Sequence, residues 1–282
     1  MKKRLTLGKK TLVMGILNVT PDSFSDGGLY FDKEKAVKRT EEMIKEGADI
    51  IDIGGESTRP GSAMVTLNEE LRRVISVVKQ VRKKFGEKII ISIDTYRSEI
   101  ARQALDAGVN IVNSLGGFLL DKKLADIVAK FKCPMIIYHI KGKPKTMQKG
   151  KITYKDVILD IKRFFEKEIS FGVSKGIKKD QFLIDLGIGF GKTVEQNLEI
   201  IKRLDELKSL DLQIVIGVSR KSHLAKVLQD ELKLTSLPLP TERIEASLAE
   251  TAVAVLNGVK IVRTHDVLQT KKFLAVLDKL KE

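Results

Sequence analysis

Cysteine is nearly absent from this sequence of 282 residues, and tryptophan is missing altogether. The single cysteine, Cys133, excludes an internal disulfide and a cysteine-built zinc cluster, and it predicts a reducing compartment. Long apolar runs are also lacking. None approaches the ~20 residues of a membrane span, and no signal-peptide core follows the basic first segment. The sequence therefore predicts a soluble cytoplasmic protein.

Acidic residues are fewer than basic ones, with 37 Asp and Glu against 51 Lys and Arg, a formal net charge of +14. Such an excess suits an anionic partner, which could be nucleic acid, a membrane surface or a phosphorylated substrate. The lysines, however, are spread among glutamates along helical segments. Aromatic residues make up only 5% of the chain, too few for the stacking surface of a single-strand binder. We therefore interpret most of this charge as a solvated surface, of a composition that also fits heat adaptation.

Apolar runs alternate with amphipathic helical segments along the whole chain. The runs predict strands near 11–17, 49–54, 88–93, 109–113, 134–138, 181–185, 212–217 and 258–262. The segments between and after them predict helices near 33–46, 67–84, 97–107, 121–130, 155–175, 193–208, 221–233, 241–257 and 266–280.

Eight strands that each precede a helix favour an α/β protein of the (β/α)8 TIM-barrel type, with long βα loops and an extra helix after strand 7. A length of 282 residues is close to the ~250 typical of such barrels. We expect one domain over residues 1–282. The alternative is an open doubly wound sheet, for which the sequence shows no reversal point.

Polar or charged residues follow every predicted strand. In strand order they are Asn18, the segment 55–61 (GESTRPG), Asp94 with Thr95, Asn113, His139, Asp185, 217–222 (GVSRKS) and 263–265 (RTH). Each could be a helix cap, but caps favour short oxygen-bearing side chains rather than Lys, Arg and His. Since barrel active sites lie at the carboxyl ends of the strands, the pattern predicts a site there.

Two glycine-rich or basic motifs suggest where a ligand would bind. The segment 185–193 (DLGIGFGKT) lacks the glycine spacing of a nucleotide phosphate loop, since Leu186 stands where that motif needs glycine. It suits instead a loop whose backbone approaches a flat ligand, or a tight βα turn. The loops after strands 7 and 8 commonly hold phosphate in barrels. Arg263 and His265 lie two residues apart, so both should face one side, with Thr264 facing away.

Asp94, Asn113 and Asp185 form a second set at the ends of strands 3, 4 and 6. Their acceptor and donor groups suit the edge of a heteroaromatic ring that bears an amino group and a ring N–H. Burying them without such a ligand would be costly. Capping remains the alternative for each residue taken separately.

Several long, irregular motifs resemble the dihydropteroate synthase family over residues 11–280. They include LNVTPDSFSDGG (17–28), DIGGESTRPG (52–61), LGIGFGK (186–192), GVSRKS (217–222) and VRTHDV (262–267). The resemblance implies a barrel enzyme, usually a homodimer, that joins 4-aminobenzoate to (7,8-dihydropterin-6-yl)methyl diphosphate in folate synthesis. It implies Mg2+ as the cofactor and sensitivity of the second substrate's pocket to sulfonamides.

The resemblance also implies roles for individual residues. Pterin would be held by Asp94, Asn113, Asp185, Gly217 and Lys221. The diphosphate would be held by Asn18, Thr58, Arg59, Arg263 and His265, with Asn18 also the Mg2+ ligand. The 4-aminobenzoate pocket would be formed by Phe24, Pro60, Phe190 and Ser222. The catalytic group would comprise Asp22, Lys221 and Arg263, with the 17–28 loop as a cover that brings Asp22 and Phe24 to the site.

The chain departs from the family pattern at two places. Leu186 stands where the family has proline, and Tyr138 and Ile140 flank His139 where the family has methionines. These departures bear on local pocket shape. The nearest alternative function is another pterin-binding barrel, such as a methyltetrahydrofolate methyltransferase. That enzyme has no diphosphate to hold, so Lys221, Arg263 and His265 favour the synthase.

Overall fold

Eight parallel strands close into a barrel in chain order. The computed structural model describes Leu5, residues 7–19, 33–56 and 65–142, Met147 and residues 152–281. The strands are β1 (Leu12–Asn18), β2 (Ile50–Gly54), β3 (Ile90–Asp94), β4 (Ile111–Leu115), β5 (Met135–Tyr138), β6 (Phe182–Asp185), β7 (Gln213–Ile216) and β8 (Ile261–Thr264). Leu12 of β1 pairs with Ile261 of β8, which closes the sheet. The predicted TIM barrel is confirmed.

An outer ring of helices surrounds this barrel. Those in the described residues are α1 (Lys33–Glu46), α2 (Leu67–Phe85), α3 (Ser98–Asp106), α4 (Lys123–Phe131), α5 (Val157–Ser174), α6 (Val194–Lys202), α7 (Ser222–Glu231), α8 (Ile244–Leu256) and α9 (Val267–Leu280). The extra helix after β7 is confirmed. The helix expected over 193–208 is shorter, since α6 ends at Lys202 and a 3-10 helix follows over Leu204–Leu210.

Local sequence signals set several of these helix ends. Thr66 caps α2 by accepting a hydrogen bond from the Glu69 amide, and Gly86 ends the same helix with φ +61°. Thr193 and Gln196 form a reciprocal capping box at the start of α6. Thr66 and Thr193 thus mark where the rim loops after β2 and β6 end, and Gly86 begins the turn to β3 at the opposite end of the barrel.

The lower half of the barrel is filled by one apolar side chain from each strand. They are Met14, Ile50, Ile90, Ile111, Ile136, Leu183, Val215 and Ile261, with Leu5, Leu7 and Leu12 packed against them. Burial of each is worth about 1.5–3 kcal/mol. Because this layer is solid, a ligand can approach the barrel axis only from the carboxyl-terminal rim. Among the described residues, no helix has the length and apolarity needed to cross a membrane.

Candidate active site

A cavity of about 350 Å³ opens at the carboxyl-terminal rim. Residues from seven of the eight strands and their following loops line it, namely Ile16, Asn18, Glu56, Asp94, Tyr138, Met147, Gly189, Phe190, Gly217, Ser219, Arg220, Lys221, Ser222, Pro240, Arg243, Arg263 and His265. The volume lies within the range of small-molecule sites. The rim therefore carries a ligand-sized site, as the strand-end pattern predicted.

Arg263 organises the floor of this cavity. Its Nε donates to Asp52 Oδ2 at 2.6 Å, and its Nη2 donates to Asp94 Oδ2 at 2.7 Å. Asn113 Nδ2 donates to the same Asp52 oxygen at 3.1 Å, and the Tyr138 hydroxyl donates to Asp94 Oδ1 at 2.9 Å. The floor is thus one connected network in which a single guanidinium bridges two carboxylates.

Burial sets the protonation of this network. It raises the pKa of Asp94 to about 6, aided by the Asp52 charge and opposed by Arg263 and the Tyr138 hydrogen bond. Burial alone would lower the pKa of Arg263, but the two carboxylates raise it above its ordinary value. Arg263 therefore stays charged, while Asp94 changes charge near pH 6.

Some buried acceptors of the floor lack a partner. Among the described residues, Asp52 Oδ1 and Asn113 Oδ1 have none within hydrogen-bond distance, and neither has the Ser92 hydroxyl. Buried polar atoms are normally paired, because an unpaired one costs about 1–3 kcal/mol. A ligand whose N–H groups reached this floor would supply donors.

Asp185 lies beside this network at the end of β6. Its Oδ1 accepts a hydrogen bond from the Gly187 amide at 2.8 Å, and burial raises its pKa above the ordinary value. Gly217, which lines the cavity, has the Arg263 side chain and Asp185 Oδ2 on the side where a Cβ would stand. Asp94, Asn113 and Asp185 are thus brought together around Arg263, as the sequence predicted.

The loops after β7 and β8 supply the cationic part of the rim. Arg263 and His265 both line the cavity, whereas Thr264 is buried on the other side and bonds the Asp266 amide and Thr270. The predicted alternation is therefore confirmed. His265 Nδ1 lies 3.0 Å from the Ser219 hydroxyl, which fixes the ring against the β7 loop.

Arg220 lines the cavity, but its charge is already paired within the protein. Its guanidinium is paired with Asp266, with Nε to Oδ2 at 3.0 Å, and its amide and carbonyl are held by Ser247 and Arg243. Its φ of +60° turns the chain sharply before Lys221. Arg220 therefore braces the loop that presents Lys221.

Lys221 and Phe190 face each other across one side of the cavity. The Lys221 ammonium lies 4.2 Å from the centroid of the Phe190 ring, and the Tyr138 ring meets that ring edge-on at 5.5 Å. Ser222 begins α7, so the amide end of that helix points at the cavity. This side combines an aromatic wall, formed by Phe190 and Tyr138, with groups that favour an anion.

Five of the expected site residues lie outside the described residues. They are Asp22, Phe24, Thr58, Arg59 and Pro60. Asn18 ends β1, pairs with Gly54 and lines the cavity.

Three residues of the site were missed by sequence reasoning. Asp52 was signalled by a lone carboxylate inside the apolar strand IIDIG. Tyr138 was noted only as a departure from a family pattern, and Lys192 only as the end of a glycine motif. Each has a side-chain partner on another strand or its loop, Arg263 for Asp52, Asp94 for Tyr138 and His139 for Lys192, so these roles could not be assigned from sequence spacing.

Comparison with known proteins places the chain in a family. Residues 14–265 match the family model for pterin binding enzymes, so the chain belongs to that family. It is 42% identical to the dihydropteroate synthase of Synechocystis sp. over 97% of this chain and 91% of that protein. It is 40% identical to the Escherichia coli enzyme of the same name, over 94% and 90%. Dihydropteroate synthases are the branch of the family to which it belongs.

Solved structures agree with that assignment. The Yersinia pestis dihydropteroate synthase, determined with a sulfonamide drug complex, superposes with a TM-score of 0.90 at 36% identity, covering 100% of this chain and 98% of that one. The dihydropteroate synthase of Clostridium difficile, determined in the presence of pteroic acid, gives a TM-score of 0.88 at 42% identity and covers 98% of both chains.

Proposed function

We propose that this chain condenses 4-aminobenzoate with (7,8-dihydropterin-6-yl)methyl diphosphate, giving 7,8-dihydropteroate and pyrophosphate. One observation carries the proposal. A single cavity is lined by the Asp94 carboxylate, by the cations of the rim and by an aromatic wall, and the buried Asp52, Asn113 and Asp185 lie directly behind its floor. These parts match, in order, the three groups that the reaction brings together: a heteroaromatic ring, a diphosphate and an aromatic amine.

The floor would bind the pterin. Asp94 and Asp185 are acceptors for ring and exocyclic N–H groups, and Asn113 can both donate and accept. A flat ring resting on the Arg263 guanidinium would place its polar edge against these groups. Lys221 at the opposite side would donate to the pterin carbonyl.

The diphosphate would lie at the rim between the loops after β7 and β8. Arg263 and His265 face this volume, and the amide end of α7 points into it. Asn18 also lines the cavity. Thr58 and Arg59, outside the described residues, complete the proposed set.

Mg2+ is the proposed cofactor, and the described residues fit an ion that takes most of its ligands from the substrate and from water. No cluster of three or more His, Cys, Asp or Glu side chains that could hold a metal occurs among the described residues. Asn18 offers a single amide oxygen at the rim. Mg2+ commonly binds through one or two protein oxygens, with substrate phosphates and waters as its other ligands. Asn18 would hold such an ion, whose charge would favour departure of the diphosphate.

The second substrate would lie against the aromatic wall. Phe190 and Tyr138 would pack on the ring of 4-aminobenzoate, and Ser222 with the α7 amide end would receive its carboxylate. Phe24 and Pro60 are proposed as further walls.

The residues act by binding and electrostatics rather than by proton transfer. The bond from the pterin methylene carbon to the diphosphate oxygen breaks, and its electron pair leaves on pyrophosphate. The amine lone pair then forms the carbon–nitrogen bond, and the nitrogen releases one proton. Lys221 and Arg263 favour the departing anion, and Asp22 is proposed to favour the positive charge left on the pterin. A neutral aromatic amine needs no strong general base.

We also propose a cytoplasmic homodimer. Large apolar side chains are exposed in the segment between α7 and α8 and on α8 itself, at Leu232, Leu237, Leu239, Val253 and Leu256. Several exposed apolar side chains in one part of the chain are typical of an interface between copies of a chain. Analytical ultracentrifugation should find a dimer that Leu256→Glu weakens. A monomeric wild type would remove the proposal.

Product analysis tests the proposed reaction. The purified protein with Mg2+ and both substrates should form 7,8-dihydropteroate, identified by chromatography and mass. Methyltetrahydrofolate in place of the pterin diphosphate should give no methyl transfer. Methyl transfer without dihydropteroate would support the methyltransferase alternative instead.

A further inference from the structure

Lys192 is a fully buried lysine whose amine is enclosed by acceptors. Its side chain is 3% exposed. Nζ lies 2.8 Å from His139 Nδ1, 2.9 Å from the Gly187 carbonyl oxygen and 3.1 Å from the Phe190 carbonyl oxygen. An ammonium has three donors, and this arrangement uses all three. Lys192 therefore ties the β5 loop, through His139, to both ends of the turn 187–190.

All three hydrogen bonds of the Lys192 amine can form whether the proton shared by Lys192 and His139 lies on one side chain or the other. Burial lowers the pKa of both Lys192 and His139 well below their ordinary values. With a charged amine, His139 accepts at Nδ1. With a neutral amine, His139 donates from Nδ1 to the nitrogen lone pair and the two carbonyls take the remaining N–H groups. The link is thus retained whichever state is populated.

The loop after β6 approaches the backbone of the loop after β5 so closely that neither Gly187 nor Gly191 leaves room for a side chain. Gly187 has a φ of +63° and Gly191 a φ of +66°. A Cβ at Gly187 would overlap the His139 carbonyl, and one at Gly191 would overlap the carbonyl of Lys141. The Tyr154 hydroxyl also donates to the Gly191 carbonyl at 2.9 Å. The loops after β5 and β6 are therefore one packed unit with Lys192 at its centre.

This unit carries the aromatic wall of the cavity. Phe190, whose carbonyl Lys192 binds, presents its ring to the Lys221 ammonium at 4.2 Å and to Tyr138 at 5.5 Å. Its neighbour Gly189 is held by the Asn197 side chain, which accepts the Gly189 amide at 2.8 Å. The position of the Phe190 ring thus depends on the backbone that Lys192 fastens.

We infer that Lys192 is a positioning residue for the second substrate, and that with His139 it fixes the Phe190 wall of the aromatic-amine pocket. The inference rests on the proposed function. The hydrogen bonds of Lys192 run to His139 and to the carbonyls of its own loop, and its side chain does not line the cavity, so it acts chiefly through Phe190. Its charge also interacts with that of Asp185, an effect that the kinetics with the pterin diphosphate would report separately. Loss of Lys192 should therefore change the affinity for 4-aminobenzoate and for sulfonamides more than the affinity for the pterin diphosphate.

Steady-state kinetics of Lys192→Met tests this. The KM for 4-aminobenzoate and the inhibition constant of a sulfonamide should rise about tenfold or more, with the KM for the pterin diphosphate changed less than about threefold. His139→Gln keeps an acceptor for Lys192 and should stay near the wild type, whereas His139→Leu should behave as Lys192→Met does. If Lys192→Met does not fold, the comparison of His139→Gln with His139→Leu tests the inference in its place.

Glu168→Gln is the matched control. Glu168 is 5% exposed and accepts the Phe118 amide at 2.8 Å in the β4 loop. The Glu168→Gln variant should have a lower melting temperature than the wild type but an unchanged KM for 4-aminobenzoate. Equal changes in both KM values for Lys192→Met, or a Glu168→Gln effect like that of Lys192→Met, would overturn the inference. A wild type without turnover would overturn the proposed function instead, so the two failures are distinguishable.

Discussion

At the scale of single residues, the site combines charges whose partners lie far apart in the chain. The alternation that aims Arg263 and His265 at one side could be predicted, because side chains on a strand alternate by geometry. The pairing of Arg220 with Asp266, and of Arg263 with Asp52, could not. Both pairs depend on which strands become neighbours at the rim, which sequence spacing does not specify.

Lys221 is expected to serve both substrates. Lys221→Met keeps the apolar stem but removes the charge and three donors. Loss of a charged hydrogen bond to the pterin carbonyl should cost roughly 1.5–3 kcal/mol, about a ten- to 150-fold drop in kcat/KM for the pterin diphosphate. Thermal stability should hardly change. Lys83→Met, on the exposed side of α2, is the control. The proposed role fails if both variants show wild-type kinetics.

Tyr138 is expected to set the acidic limit of activity. Asp94 must be ionised to accept a pterin N–H, and its pKa of about 6 is raised by burial and lowered by the Tyr138 hydrogen bond. Tyr138→Phe removes that bond, so the pKa of Asp94 should rise further. The acidic limb of the pH profile of kcat/KM for the pterin diphosphate should move to higher pH, with little change above pH 8. Tyr96→Phe, whose hydroxyl donates to Glu56 at 3.1 Å, should leave the limb in place. An unmoved limb in Tyr138→Phe would refute this.

At the scale of elements, the sequence predicts nearly all strands and helices because each has its own signal. Apolar runs mark strands, and glycines such as Gly108 and Gly258 adopt the positive φ of helix ends. The break of α6 after Lys202 was missed, since the apolar spacing continues through Leu204, Leu207 and Leu210, which are all buried. The packing of one rim loop on another was also beyond prediction, because it is a contact between non-neighbouring segments.

Gly187 should be indispensable to the β6 loop. Alanine there meets both a φ of +63° and the His139 carbonyl. Gly187→Ala should lower the free energy of unfolding by about 3 kcal/mol or more, a drop of roughly 6 °C in Tm. Gly176→Ala, with a φ of +91° and open space around it, should cost only about 1 kcal/mol. Chemical denaturation measures both. Equal losses would show that the backbone angle alone matters and that the loop contact does not.

Glu70 of α2 should make stability depend on pH. Burial raises its pKa to about 7, against the opposing effects of the Arg97 charge and the Thr95 hydrogen bond. The native state then binds more protons than the unfolded chain between about pH 4.5 and 7, so this group's contribution to stability is lost as pH rises through that window. Relative to wild type, Glu70→Gln should gain up to about 3 kcal/mol on going from pH 4.5 to pH 8.

Glu99 on α3 provides a control, because its contribution to stability should depend on pH in the opposite direction to that of Glu70. Arg102 lowers the pKa of Glu99 to about 2 by its hydrogen bond, so the stability that this carboxylate contributes is lost as pH falls. Glu99→Gln should therefore gain relative to wild type towards acid. Denaturation at several pH values measures both variants. A Glu70→Gln difference that does not change with pH would contradict the shifted protonation.

At the scale of the whole molecule, the barrel joins a closed lower half to a polar upper rim. The apolar layer around Met14 and Ile136 blocks the lower end, so both proposed substrates must enter by the same mouth. The net charge of +14 already counts every acidic residue, and many cations on the helices have acidic neighbours, such as Arg102 with Glu99 and Lys226 with Asp230. At the rim, Lys221, Arg263 and His265 line the cavity, where they would meet substrates that carry a diphosphate and a carboxylate.

The measurement that most directly tests this account is pyrophosphate release with each component omitted in turn. The central claim is that one cavity binds the pterin diphosphate and 4-aminobenzoate together and joins them. Release should require both substrates and Mg2+, should match dihydropteroate formed one for one, and should be suppressed by a sulfonamide in competition with 4-aminobenzoate. Release at the full rate without 4-aminobenzoate, or none with all components present, would contradict the account.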